Sequence, residues 1–169
     1  MKQLKAQYIG LITGGLMIAA LLFSFCVAKL PIESNFQFIV YGLFCAGIVW
    51  SLFNSYLYDP AKRSFKDFFS VGFKTFVIVA LLMAVYTYIF FSIHTDFRDA
   101  KIAENNQLIL KEGHHLPQEI EQNSKQLKKL FLPIMVSSAI FRYLIVGALV
   151  SAVGAGFLSS RRSKEINNS

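Results

Sequence analysis

The sequence predicts an all-α membrane protein with four transmembrane helices and an extramembrane helical hairpin between the third and the fourth. Three observations carry this expectation. First, 54% of the 169 residues are hydrophobic and only 16% are charged, where a soluble domain carries roughly a quarter. Second, the chain holds four apolar runs, each long enough to cross a hydrocarbon core of roughly 30 Å at about 1.5 Å per helical residue. Third, Lys and Arg fall in segments that alternate with those runs as the positive-inside rule requires. The length suits one membrane domain, residues 1–169, and the mean hydropathy of +0.48 agrees.

The first run, about residues 8–28, starts after Lys2 and Lys5 and ends at Lys29. A signal peptide is the competing reading, because the two lysines resemble an n-region. The run is too long for a typical h-region, and cleavage after Ala28 would put Cys26 where a small residue is needed, so an uncleaved helix is favoured. Leu30-Pro31-Ile32-Glu33-Ser34-Asn35 is a connector with breakers at both ends. The second span, about 36–57, has no charge and closes on Trp50, Tyr56 and Tyr58, rings suited to the headgroup level. Asp59-Pro60-Ala61-Lys62-Arg63 makes the next turn, and Ser64-Phe65-Lys66-Asp67 reads as a capping box. The third span is about 71–93, with Lys74 free to snorkel along its four-carbon stem.

Beyond Ile93 the chain turns polar. Asp96 to Glu112 lacks Gly and Pro, which predicts a helix continuing from the third span, with Gly113 as its C′ residue. Pro117 and Glu119 mark a fresh start, and Ile120, Leu127, Leu130, Phe131 and Ile134 share a stripe. Ile102, Leu108 and Ile109 offer a weaker apolar face in the preceding helix. The hairpin therefore covers about 94–131, with a disordered polar loop as the alternative. The fourth apolar run, 132–158, is longer than a bilayer needs; the span is placed at about 136–158. Lys2 and Lys5, then Lys62, Arg63 and Lys66, then Arg161, Arg162 and Lys164 all fall on one side of four spans. That predicts both ends in the cytoplasm. The net charge of +7 is thereby accounted for by topology, and nucleic acid is not an expected partner.

Arg142 is the one charge inside an otherwise apolar span, and such a residue costs on the order of 3 kcal/mol at a helix centre. It either snorkels outward beside Tyr143, with the membrane beginning there, or faces the bundle to hold an anionic headgroup, substrate or partner carboxylate. Small residues four apart form a second pattern: Gly10 and Gly14, Gly42 and Ala46, Ala80 and Ala84. The last span has two such faces, Gly147, Ser151 and Ala155 beside Ala148, Ala152 and Gly156. Such residues let helix backbones approach closely in lipid, so the fourth helix is expected at the centre of the bundle.

Chemistry-bearing patterns are sparse. Cys26 and Cys45 sit in apolar runs and read as small hydrophobes. His94, His114 and His115 lack the companions of a metal shell, and no nucleophile, phosphate-loop or zinc-protease motif occurs. No catalytic residue, cofactor or metal is therefore expected.

The order Asp59-Pro60-Ala61-Lys62-Arg63-Ser64-Phe65-Lys66-Asp67-Phe68, Val71-Gly72-Phe73-Lys74, Tyr88-Ile89-Phe90-Phe91, Asp96-Phe97 and Pro117-Gln118-Glu119-Ile120-Glu121-Gln122, with a basic end to the last span, resembles a known family. It is that of the small membrane proteins called domain of unknown function 4199, described mainly from Bacteroidota. The resemblance covers nearly the whole chain through segment order and spacing, and it implies a bacterial inner membrane and a periplasmic hairpin. It implies no activity, substrate or catalytic residue. The expectation is a non-enzymatic accessory or scaffolding subunit that packs in the bilayer against another membrane protein or itself; the alternative is a small oligomeric transporter or channel.

Overall fold

Ser64 and Asp67 show how local sequence starts a helix. In the computed structural model, the Ser64 amide donates to Asp67 Oδ2 at 3.1 Å and the Asp67 amide donates back to Ser64 Oγ at 3.4 Å. This reciprocal box satisfies two amides that a first helical turn leaves without partners. The structure describes residues 4–26, 36–59, 64–112 and 117–167. Among them the helices are α1 (Ala6–Cys26), α2 (Phe36–Tyr58), α3 (Phe65–Ile93), α4 (Thr95–Glu112) and α5 (Pro117–Asn167), and no strand occurs. Four of them, α1, α2, α3 and α5, are long and apolar enough to cross a membrane. The connectors holding Lys29 and Pro31, Lys62 and Arg63, and Gly113, His114 and His115 lie outside the described residues.

The chain forms two compact units. One contains α1, α2, α3 as far as Met83, and α5 from Ile140; the other is Ala84–Ala139. In the first unit side-chain pairs fix the directions of the helices. Leu4 meets Asn54 and Thr13 meets Gly47, so α1 and α2 run antiparallel. Ala6 meets Thr75, Gly10 meets Ile78 and Gly14 meets Leu82, so α1 and α3 run parallel. Tyr143 packs on Phe44 at 5.3 Å, Gly154 lies on Leu52, and Arg162 reaches Tyr56, which makes α5 parallel to α2. Gly72 against Ser151 and Phe76 against Gly147 run α5 antiparallel to α3. The result is an up-down-up-down bundle in which α2 and α3 touch each other and both of the outer helices.

That arrangement corrects the expectation that the fourth span is central. Only 17% of its apolar window is buried, against 39% for α2. Small residues allow close approach on one side of a helix, but they do not surround it with neighbours. One face of α5, with Ser151 and Ala155 at 0% exposure, packs inward. The opposite ridge of Phe141, Ile145, Leu149, Val153 and Phe157 is open, with Val153 73% exposed. The interior is mainly apolar, with Ile9, Met17, Phe44, Phe68 and Val79 fully buried, and the departure from a water-soluble bundle lies on its surface. Thr13, Ser24, Ser51, Asn54, Ser55, Thr75 and Ser151 are inside, while large apolar side chains coat the outside of all four helices. In water this surface would be a severe aggregation liability; in lipid it costs nothing, and hydroxyls and the amide find partners only inside.

In the second unit, α4 and the first part of α5 are joined by a 2.7 Å hydrogen bond from Asn106 Nδ2 to Ser124 Oγ. Lys128 lies 3.7 Å from Asp99. Arg98 beside Asp99, helped by Lys128, holds its carboxyl below the usual range. Phe91 and Phe131 meet edge to face at 5.3 Å. Phe131 is buried but Leu130 and Ile134 are exposed, so the predicted stripe is not buried as one face. The helix does not run unbroken from the third span into the polar segment either. His94 interrupts it: its ring stacks on Phe90 at 4.6 Å with Nδ1 3.1 Å from the Phe90 carbonyl. Thr95 and Asp96 then open α4, where a carboxylate in the first turn suits the helix dipole. By contrast α5 continues through Pro133, which leaves the Lys129 carbonyl without its helical donor.

Close approach makes a specific demand at Gly10. A Cβ there would stand 2.9 Å from the Thr75 carbonyl oxygen, a backbone atom that no rotamer change can move. Around Gly42 nothing lies within 4 Å. Gly10→Ala is therefore expected to destabilise the bundle by about 1–3 kcal/mol through overpacking. Gly42→Ala should be neutral or stabilising by up to about 1 kcal/mol through helix propensity. Unfolding of both variants in the same detergent, followed by circular dichroism, checks the contrast; equal losses would contradict the packing.

Candidate polar site at one end of the bundle

Ser51, Asn54 and Ser55 are spaced three and four apart, which puts them on one face of α2. That face meets α1 and α3, and all three side chains are at least nine-tenths buried. Ser51 Oγ lies 2.7 Å from Thr75 Oγ1, and Thr75 is completely buried. Thr75 Oγ1 is also 3.1 Å from the Val71 carbonyl of its own helix and 3.3 Å from the Ala6 carbonyl of α1. A hydroxyl has a single proton, so Thr75 donates to one of Ser51 Oγ, the Val71 carbonyl and the Ala6 carbonyl at a time. One side chain thus ties three helices together.

One turn further toward the end, Asn54 Nδ2 donates to the Leu4 carbonyl at 2.9 Å, satisfying a group just ahead of α1. Arg162, near the end of α5, does the equivalent for α2. Its guanidinium donates to the Tyr56 carbonyl at 3.1 Å and to the Asp59 carbonyl at 3.5 Å, and it lies 4.9 Å from the centre of the Tyr56 ring. The last carbonyls of a helix lack intrahelical donors and carry its negative dipole end, so a planar cation is well suited to them. The amino end of α1, the carboxyl end of α2, the amino end of α3 and the carboxyl end of α5 consequently share one end of this unit. A cleft of about 300 Å³ opens there, lined in part by Lys5, Ser51, Asn54, Ser55, Asp59 and Lys74.

The residues singled out from sequence distribute differently. Gly10 and Gly14 face Thr75, Ile78 and Leu82 of α3. Across α3, a Cβ on Gly147 would lie 2.6 Å from Phe76 Cβ, and one on Gly72 would lie 2.7 Å from Ser151 Cβ. Ser151 Oγ is buried without a hydrogen-bond partner. Ala155 is fully buried. Arg142 is exposed on α5, away from the bundle interior, and among the described residues it has no hydrogen-bond or ion-pair partner. No group of three or more His, Cys, Asp or Glu among the described residues is placed to hold a metal ion. Sequence reasoning does not single out the polar cluster, although the 51, 54, 55 spacing within an apolar run is its available signal.

The Thr75–Ser51 contact predicts a coupling energy. Thr75→Val takes this partner from the Ser51 hydroxyl, Ser51→Ala leaves Thr75 with only its carbonyl partners, and the double variant removes the contact altogether. A double-mutant cycle in detergent is expected to give about 0.6 kcal/mol of coupling, and at most roughly 1.7 kcal/mol, the range for hydrogen bonds between helices in membranes. Additive losses would show that the two hydroxyls do not interact.

No curated protein and no solved structure matches the chain. The sequence profile of the family described as "Protein of unknown function (DUF4199)" matches residues 8–160. With nearly all of both units inside that match, the chain belongs to this family.

Proposed function

We propose that the protein is a four-span component of a bacterial inner membrane, with both ends in the cytoplasm, acting without catalysis as an accessory subunit that packs against another membrane protein. The coat of exposed large apolar side chains on all four apolar helices supports the membrane assignment. Orientation is supported by the shared end of the first unit, to which Lys5, Lys66, Arg161, Arg162 and Lys164 belong and which the positive-inside rule sends to the cytoplasm. Arg142 precedes Arg161 by 19 positions on α5, about 28 Å of helix. That separation is close to the hydrocarbon thickness and favours Arg142 at the outer interface, where its exposed guanidinium reaches headgroups. On this reading α4 and the start of α5 form a periplasmic hairpin.

The observation that carries the accessory role is the unused half of α5. One small-residue face is consumed by contacts with α3. The other, Ala148, Ala152 and Gly156, retains an open position: a Cβ added at Gly156 would meet nothing within 4 Å. Beside it runs the exposed ridge of large apolar residues. A groove of small residues flanked by a ridge is the surface that helix–helix packing in lipid uses.

Two measurements test this. A phosphatase reporter fused after Ser169 should be inactive, and an active one would reverse the orientation. A photo-crosslinker at Ala152 in intact cells should give a discrete protein adduct that Gly156→Leu abolishes while the bundle stays folded. Adducts with lipid alone would remove the accessory role; an adduct of twice the mass of the chain would make the partner a second copy.

A further inference from the structure

We draw no further inference here: the strongest candidate, the outward face of α5 where Ala148, Ala152 and Gly156 run beside the exposed ridge of Leu149, Val153 and Phe157, belongs to the surface already proposed for a partner, and nothing in the structure shows what covers it.

Discussion

The Thr75 hydroxyl is the point on which the first unit turns. It is completely buried, 2.7 Å from Ser51 Oγ on α2 and 3.3 Å from the Ala6 carbonyl on α1, with its own helix as the third partner. In lipid the hydrophobic effect supplies no attraction between helices, because acyl chains are as apolar as leucine. Association then depends on close packing and on hydrogen bonds with no alternative partner outside. Thr75 supplies the second and is adjacent to the first, since Gly10 admits its backbone carbonyl to within 2.9 Å of where a Cβ would stand. Backbone contact and hydroxyl bond reinforce each other at one level of the bundle.

The polar end is built outward from that level. Asn54 satisfies the Leu4 carbonyl, and Arg162 satisfies the last carbonyls of α2 while lying over Tyr56. A basic residue in the carboxyl-terminal tail is commonly understood as a topology signal. Here the same charge also closes a helix end, because α5 continues as a helix past Arg162 beside the carboxyl end of α2. The cleft exists because these ties hold the amino end of α1 against α2 and α3 without filling the space between Lys5, Ser55 and Lys74.

The length and nature of the helices are legible in the sequence because they rest on local rules. Apolar runs of bilayer length, the Ser64–Asp67 box and Pro117 as a helix start all operate within a few residues of chain, and the described elements follow them. Small-residue spacing is legible as a capacity and not as an outcome. Gly10 and Gly42 look alike in sequence, yet one meets a backbone carbonyl and the other meets nothing. The richest pattern, on the fourth span, suggests a central helix, whereas only one of its two faces is used in the bundle. The polar residues of α2 escape sequence reasoning for a related cause. Ser and Asn in an apolar run read as tolerated impurities until a neighbouring helix turns them toward one another.

By itself, the sequence determined that the chain is helical, that four of its helices are apolar over the length of a bilayer, and that its basic residues cluster in alternating segments. Those properties depend on residues a few positions apart and on transfer energies that each side chain carries wherever it sits. Only the tertiary structure decided that α2 and α3 hold the bundle together, that Arg142 faces outward and Arg162 caps α2, and that Lys5, Ser55 and Lys74 line one cleft. Each of these is a relation between segments separated by tens of residues. Its energy comes from geometry between helices, in van der Waals contact and hydrogen bonds, and no single stretch of sequence contains that geometry.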